Sequence, residues 1–341
     1  MIRAGLIGFG LGGTAFHAPL IDAVEGLTLA AIASSRTEAV RASYPEAKVM
    51  HPEALLSDPD IDLVVISTPN ATHYQLARAA LENGKHVVID KPFATSVAEA
   101  QSIADLASAK GRLAIAFHNR RWDSDFLTVR KLLDGGRLGE VLLYEAHWDR
   151  LRPGLSQRWK EVPEAGGGQL LDLGPHLVDQ ALLLFGTPDA VTGDLAAQRP
   201  HGAVDDYFSI TLHYGERRVV LASSRMVAAP RPRFGLHGSL GSFVKFGLDP
   251  QEAAMRAGRR IDDPRHGIEE PADHGVLTLA DGCRETIVSE RGDYRRFYEG
   301  VVAAITNGAA PPVAPSDAIL GLRIIELARR SAAEGRRLAL G

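Results

Sequence analysis

Cysteine is almost absent from this sequence, which contains only Cys283 in 341 residues. A single cysteine excludes an intrachain disulfide and a cysteine-rich zinc site, and we expect a reduced, cytoplasmic protein that binds no metal. Apolar runs of about 18 residues are also missing, which excludes a membrane-spanning helix. The net charge is −4, so bulk charge gives no sign of nucleic-acid binding.

Glycine, in contrast, is abundant. The chain contains 34 glycines, which exceeds the usual share of about 7% and indicates tight turns or close approach of the backbone to a ligand. Hydrophobic residues make up 45% and charged residues 23%, as in ordinary globular proteins. At about 150 residues per domain, the length predicts two domains.

Short apolar runs alternate with helix-like stretches over residues 1–120. Near-continuous apolar strands that alternate with helices are typical of a parallel sheet covered on both faces. We therefore predict a doubly wound α/β domain of the Rossmann type for residues 1–120. The runs are Ile2–Ile7, Leu27–Ala33, Leu63–Ser67, His86–Ile89 and Leu113–Phe117, and the helix-like stretches are Thr72–Asn83 and Ser96–Lys110.

The pattern changes after residue 120. Apolar and polar residues alternate in runs such as Tyr207–Tyr214, and hairpin-length turns separate them. This pattern predicts an α+β domain over residues 121–341, built on a large, mostly antiparallel open sheet. Helices are expected near Tyr294–Thr306 and Asp317–Glu334, with Ser316 as the N-cap of the second, and they could pack back on the first domain. The segment Asp249–His274, rich in Arg, Asp, Pro and Gly, is predicted to be a long surface loop.

A glycine-rich turn follows the first predicted strand directly. We call Gly8-Phe9-Gly10-Leu11-Gly12-Gly13 the glycine turn. In a dinucleotide fingerprint of this spacing, Gly8 would allow the tight turn, Gly10 the approach of a pyrophosphate and Gly13 close helix packing. A turn that binds no ligand is the alternative, but the position after a first strand favours a dinucleotide.

The end of the second predicted strand indicates which dinucleotide binds. NAD enzymes usually carry a carboxylate there that bonds the ribose 2′-hydroxyl. This strand instead ends in Ala33-Ser34-Ser35-Arg36, and Ser35 and Arg36 could bind a 2′-phosphate. We therefore predict NADP in preference to NAD, with a solvated turn as the alternative.

Polar residues follow three later strands of the predicted sheet, as Thr68-Pro69-Asn70, Asp90-Lys91-Pro92 and His118-Asn119-Arg120-Arg121. The carboxyl ends of parallel strands face one crevice, where ligands bind. A lysine held there could polarise a substrate hydroxyl or relay its proton. Alternatively, Lys91 could cap its loop by pairing with Asp90.

The block from Gly166 to Asp179 contains the last candidate residues. In a continuous helix, Asp172, His176 and Asp179 lie on one face. Pro175 suggests instead that the helix begins or kinks there, which would place His176 near a first turn. A neutral His176 could act as a general base. The alternatives are a capping carboxylate beside a core histidine, or a metal pair, which lacks a third ligand nearby.

Together, these motifs resemble the Gfo/Idh/MocA oxidoreductase family over essentially the whole chain. Phe16-His17-Ala18-Pro19 and His118–Asp123 resemble the branch that contains NADP-dependent scyllo-inositol dehydrogenase. Asp90 departs from the family pattern, which has the longer glutamate. The resemblance implies that Lys91, Asp172 and His176 are catalytic and that the second domain's sheet forms homodimers or homotetramers.

The remaining predicted site residues form two groups. Cofactor contacts are expected from the glycine turn and from Ser35, Arg36, Thr68, Pro69, Asn70, His73, Asp90 and Lys91. Substrate contacts are expected from His118, Asn119, Arg120, Asp123, Trp159, Asp172 and His176. Alternatively, Arg120 and Arg121 could simply pair with carboxylates.

The expected function is therefore reversible oxidation of a polyol, cyclitol or sugar with NADP. A sensor that binds NAD(P) without catalysis is one alternative. An enzyme that uses bound NAD(P) as an internal redox relay is another.

Overall fold

The computed structural model describes residues 1–156, 159–163, 166–229 and 231–341. These residues form two compact units. The first unit comprises Met1–Asn119, Gln251–His266 and Asp293–Leu320, and the second comprises Arg120–Pro250, Gly267–Gly292 and Gly321–Gly341. Each unit contains segments that lie far apart in the sequence.

A six-stranded parallel sheet forms the centre of the first unit. Its strand order is β3-β2-β1-β4-β5-β6, so the order reverses between β1 and β4. Such a reversal marks the point where doubly wound sheets bind their ligands. The strands are Ile2–Ile7 (β1), Leu27–Ala33 (β2), Lys48–Met50 (β3), Leu63–Ile66 (β4), His86–Ile89 (β5) and Ala114–Ala116 (β6). The predicted parallel α/β domain is confirmed.

Apolar composition accounts for the central strands. All four side chains of β4, the sequence LVVI, are buried, as expected for a strand covered on both faces. The helices of this unit are Ala18–Ala23, Thr37–Ser43, Pro52–Ser57, His73–Glu82, Val97–Ala109, Gln251–Arg256 and Arg295–Asn307. A π-helical segment, Gly13–His17, joins the glycine turn to the first of them.

The helix Val97–Ala109 has Ser96 as its N-cap. The Ser96 hydroxyl accepts a hydrogen bond from the backbone N–H of Glu99 at 3.2 Å. The Glu99 carboxylate in turn accepts from the Thr95 N–H and hydroxyl at 3.0 and 2.6 Å. These bonds satisfy backbone donors that would otherwise lack partners at a helix start.

A nine-stranded sheet forms the centre of the second unit. Its order is β14-β13-β12-β11-β7-β10-β9-β8-β15, and β7 pairs with β10 in parallel while the other pairs are antiparallel. The strands are Val141–His147 (β7), Ala190–Ala196 (β8), Tyr207–Tyr214 (β9), Arg217–Ser224 (β10), Phe234–Gly238 (β11), Gly241–Lys245 (β12), Gly275–Leu279 (β13), Arg284–Ile287 (β14) and Leu338–Ala339 (β15). The predicted mostly antiparallel sheet is confirmed. The helices Ser124–Asp134 and Gln169–Phe185 also lie in this unit.

Two local predictions were wrong. The segment Asp249–His274 is not simply a surface loop, because it contains the helix Gln251–Arg256 and buries Met255, Ile261 and Glu269. Charged residues dominate the composition of this segment, so composition alone does not reveal that these few residues are buried. The last long helix runs from Pro315 to Glu334, so Ser316 is a helical residue and not the N-cap.

Candidate functional site

The glycine turn lies between β1 and the π-helical segment. Gly8 has φ +103°, and a Cβ atom there would lie 2.1 Å from the Ser67 carbonyl oxygen. A Cβ on Gly13 would lie 2.2 Å from the Gly8 carbonyl oxygen. A Cβ on Gly10, however, would meet no atom within 4 Å. The fold thus requires Gly8 and Gly13, whereas the space beside Gly10 is open to a ligand.

The Asp90 carboxylate connects the glycine turn to Lys91. Its Oδ1 accepts a hydrogen bond from the Lys91 backbone N–H at 2.8 Å, and its Oδ2 accepts from the Ser67 hydroxyl at 3.2 Å. A Cβ on Gly12 would lie 2.7 Å from the same Oδ2. Lys91 precedes a cis peptide bond to Pro92. The Asp90 carboxylate therefore bonds residues that follow β4 and β5 and lies directly beside the glycine turn.

The charge of Asp90 is stabilised by its surroundings. Burial by itself raises the pKa of this carboxyl, but the His17 imidazole and the charges of His17, Lys91 and His73 outweigh burial. The pKa of Asp90 is therefore held well below its ordinary value. The group remains an anion and a hydrogen-bond acceptor at neutral pH.

His73, a predicted cofactor contact, lies between the loops that follow β4 and β5. Its side chain is fully buried, with Nδ1 2.8 Å from the Pro92 carbonyl oxygen and Nε2 2.9 Å from the Thr68 carbonyl oxygen. Burial lowers the pKa of His73, although its hydrogen bonds and Asp90 partly oppose this shift. A ring with both nitrogens against backbone carbonyls positions the loops after β4 and β5. Asn70 is also buried, whereas Pro69 is exposed.

The end of β2 presents a cation to solvent. Ser35 and Arg36 are both exposed, and the Arg36 backbone N–H donates to the Ser34 hydroxyl at 3.0 Å. Within the described ranges, the Arg36 guanidinium forms no hydrogen bond or ion pair. It is therefore available to an anionic ligand.

In the second unit, Asp172 and His176 lie on one continuous helix, Gln169–Phe185, with Pro175 inside it. The interpretation that the helix begins at Pro175 was therefore wrong. Asp172 lies in the first turn, and His176 follows one turn later on the same face. The start of this helix is held by Asp205, whose Oδ2 accepts from the Leu170 N–H at 2.6 Å.

Asp172 has a cationic partner that the sequence did not reveal. The Lys160 ammonium donates to Asp172 Oδ1 at 2.6 Å, and the two side chains are 37% and 17% exposed. Lys160 lies in the short 3-10 helix Trp159–Glu161, with its ammonium 5.6 Å from the Trp159 ring centroid. Lys160 therefore contacts both Asp172 and the ring of Trp159, which is a predicted substrate contact.

His176 is buried and stacks on Trp148. The two ring centroids are 6.2 Å apart and the planes differ by 30°. The Arg120 and Arg233 guanidinium carbons lie 4.8 and 5.1 Å from the Trp148 ring centroid. Trp148 and Arg233 were missed because they lie just after β7 and just before β11, far in sequence from the helix, and no local motif marks them.

The arginines after β6 have structural partners. Arg121 forms a bidentate pair with Asp179, at 2.9 and 2.6 Å, and both side chains are buried. Arg121 thus has its carboxylate partner within the second unit. Arg120 lies 3.5 Å from the buried carboxylate of Asp123. In the first unit, His118 and Asn119 are also buried.

Comparison with known proteins identifies the family. The model described as "Oxidoreductase family, NAD-binding Rossmann fold" matches residues 2–118. The model described as "Oxidoreductase family, C-terminal alpha/beta domain" matches residues 130–340. The chain belongs to the Gfo/Idh/MocA family.

Several relatives are similar over nearly their full length. The Escherichia coli oxidoreductase YdgJ, named as uncharacterized, is 46% identical over 97% of this chain and 96% of its own. The scyllo-inositol 2-dehydrogenase (NADP(+)) IolW of Bacillus subtilis is 41% identical over 99% of this chain and 96% of its own. A solved structure of the oxidoreductase YvaA from Bacillus subtilis, 41% identical, covers 100% of this chain and 98% of its own with TM-score 0.97.

This member of the Gfo/Idh/MocA family is thus an oxidoreductase with an NAD-binding Rossmann domain, consistent with an NAD(P)-dependent dehydrogenase that acts on CH–OH groups. The described residues fit such a cofactor, since the Gly10 position is open and Arg36 is exposed. Among the residues whose placement is described, no helix is long and apolar enough to cross a membrane. The same residues contain no cluster of three or more His, Cys, Asp or Glu suited to a metal ion.

Two alanine substitutions should separate the roles of the glycines. Gly10→Ala should leave the free energy of unfolding within about 0.5 kcal/mol of the parent, because its Cβ meets no atom within 4 Å. It should nevertheless weaken NADPH binding about tenfold or more, because the methyl group enters the space of the pyrophosphate. Gly8→Ala should destabilise the fold by about 1–3 kcal/mol. Urea unfolding and fluorescence titration measure both effects, and unchanged NADPH binding by Gly10→Ala would contradict the assignment.

Proposed function

We propose that this protein is an NADP-dependent dehydrogenase that transfers hydride between a nicotinamide and a secondary alcohol or ketone of a cyclitol, polyol or sugar. The observation that carries this proposal is the fixed backbone of Lys91, whose N–H donates to Asp90 at the end of β5. The carboxyl end of a parallel strand is where such folds bind ligands. A sensor without catalysis has no need of a lysine held there, so the arrangement favours an enzyme.

Each catalytic residue has a proposed role. When bound, the nicotinamide accepts or supplies the hydride. His176, held against Trp148, takes the proton of the reacting hydroxyl as general base. Lys91 donates a hydrogen bond to that oxygen and stabilises its developing charge. Asp172 orients a neighbouring hydroxyl, and its partner Lys160 offers a second donor to a polyhydroxy compound.

The proposed cofactor is NADP, because Arg36 is exposed and β2 ends without a carboxylate. Combining Ser35→Asp with Arg36→Ala should weaken NADP⁺ use by about 10- to 10²-fold in kcat/KM and improve NAD⁺ use. The new carboxylate repels the 2′-phosphate and can bond a free 2′-hydroxyl. Arg41→Ala, which removes an exposed arginine from the next helix, is the matched control. The assignment is wrong if the parent uses NAD⁺ as well as NADP⁺.

A substrate panel tests the proposed activity directly. We expect scyllo-inositol, or its ketone with NADPH, to give a higher kcat/KM than linear polyols such as sorbitol. A flat cyclitol presents hydroxyls at its edge to donors such as Lys160, and C–H faces to a ring such as Trp159. The absorbance of NADPH reports the rate for each compound. Equal rates with sorbitol would overturn the cyclitol assignment, and no activity with any polyol or sugar would overturn the proposed function.

We also propose that the chain forms homodimers or homotetramers through the sheet of the second unit. Along β9, buried side chains alternate with partly exposed ones. Such alternation leaves one face of the strand accessible to a second copy. This part of the proposal concerns assembly and is independent of the catalytic roles.

A further inference from the structure

His17 is a buried polar residue to which the proposed function gives no role. It ends the π-helical segment that follows the glycine turn, and its side chain is fully buried. Its Nδ1 lies 2.7 Å from the Tyr298 hydroxyl, and its Nε2 lies 3.6 Å from Asp90 Oδ2. Burying an imidazole costs free energy, so both of its polar contacts need an explanation.

The partners of His17 define which nitrogen carries the proton. Asp90 is a carboxylate and can only accept, so Nε2 faces it as N–H. Burial raises the pKa of Tyr298 well above its ordinary value, so this hydroxyl keeps its proton. The Tyr298 hydroxyl can then donate a hydrogen bond to Nδ1 of His17. The Phe117 ring, whose centroid is 4.2 Å from that of His17, holds the imidazole in place.

Polar groups therefore follow one another from Tyr298 through His17 and Asp90 to Lys91, with hydrogen bonds at both ends and a longer, electrostatic contact of 3.6 Å between His17 and Asp90. We propose that His17 is a positioning residue of the cofactor site, holding the Asp90 carboxylate charged and oriented so that it fixes Lys91. The catalytic consequence rests on the proposed function, since it requires Lys91 to act on substrate. The effect on the Lys91 backbone does not depend on it.

The competing explanation is that His17 only fills space. In that case an apolar side chain of similar size would pack as well, since buried polar groups can often be replaced by apolar ones without loss. The two explanations differ in what happens at Lys91, one residue beyond Asp90, when the His17 ring or the Tyr298 hydroxyl is removed.

The test combines ¹H–¹⁵N spectra, stability and kinetics for His17→Leu, His17→Gln and Tyr298→Phe. We expect the Lys91 amide resonance to move in His17→Leu and Tyr298→Phe, and to return towards its original position in His17→Gln, which keeps a side-chain N–H. The kcat of His17→Leu should fall by about 10- to 10²-fold, since small misplacements of catalytic groups have effects of that size. The KM for NADPH should change less. His86→Leu is the matched control, because His86 bonds the Leu113 backbone N–H at the opposite end of β5.

Each result decides the proposal. A Lys91 amide and a kcat that match the parent in His17→Leu and Tyr298→Phe would overturn it, even if both variants melt earlier. So would equal losses in His17→Gln and His17→Leu. If His17→Leu does not fold, Tyr298→Phe decides, because it deletes a single oxygen atom. If the Lys91 amide moves but the parent oxidises no polyol or sugar, the positioning role stands and the proposed function fails.

Discussion

Replacing Lys91 or His176 with alanine should lower kcat by about 10²- to 10⁴-fold, the usual effect of removing a positioned acid or base. In the proposed mechanism, Lys91→Ala removes the donor that stabilises charge on the reacting oxygen, and His176→Ala removes the group that accepts its proton. Binding of NADPH, measured by fluorescence, should change little in either variant. The losses should therefore appear in kcat and much less in cofactor affinity.

Matched substitutions in the same units serve as controls. Lys48→Ala removes a lysine that is 58% exposed, and His213→Ala removes a partly buried histidine that bonds Thr192. Neither should reduce kcat appreciably. If Lys91→Ala turns over substrate at nearly the rate of the parent, Lys91 is not catalytic, and the alternative of a loop residue that pairs with Asp90 is favoured. The same result in His176→Ala would show that His176 is a histidine of the core without a catalytic role.

Asp206→Asn should destabilise the protein by about 3 kcal/mol, because it breaks a buried ion pair from one side. Asp206 and Arg199 are fully or almost fully buried, and their Oδ2 and Nε atoms lie 2.8 Å apart. Asp206 also accepts from the backbone N–H groups of Gln198 and Arg199. Asparagine keeps the shape but leaves the Arg199 charge less compensated. Urea unfolding at neutral pH measures the difference.

The pH dependence of this effect has a definite sign. Burial raises the pKa of Asp206, but its hydrogen bonds with Arg199 and the backbone lower it more, so the folded pKa lies below the ordinary value. The stabilisation is therefore complete above an unfolded pKa of about 3.9 and is lost as the pH falls towards the folded pKa. The difference between Asp206→Asn and the parent should shrink below about pH 4.

The control is an ion pair of the same chemistry on the surface. Arg260 and Asp262 form a bidentate pair at 2.8 and 2.5 Å, but their side chains are 83% and 62% exposed. Asp262→Asn should leave the urea unfolding midpoint almost unchanged, because exposed ion pairs contribute little to stability. An equally small change in Asp206→Asn would show that the buried pair of Asp206 with Arg199 does not stabilise the protein more than an exposed pair does.

Features encoded over a few neighbouring residues could be predicted from the sequence. The strand Leu63–Ile66 is a run of apolar residues because both sheet faces are covered. The glycine turn and the Ser96 cap likewise depend on short spacings. The antiparallel second sheet followed from alternation along strands such as Tyr207–Tyr214.

Contacts between distant parts of the chain could not be predicted in this way. Trp148 reaches His176, and Arg233 reaches Trp148, only after the neighbouring strands β7 and β11 have paired. Lys160 lies twelve residues before its partner Asp172 and on a different helix, so no single helix or strand period relates the two. The burial of His73 depends on the carbonyls of Thr68 and Pro92, and sequence alone gives no sign of where these point.

The discontinuous first unit has a consequence for synthesis of the chain on the ribosome. Tyr298 follows its partner His17 by 281 residues, which at about 5–20 residues per second takes roughly 15–60 s. For most of that interval Phe16 lacks its neighbour Tyr294, and from its own synthesis onwards Phe117 lacks the Phe297 ring that packs on it at 4.8 Å. The nascent Rossmann unit therefore exposes an aromatic surface until the chain is nearly finished. During that time it is a natural substrate for chaperones that bind exposed apolar segments.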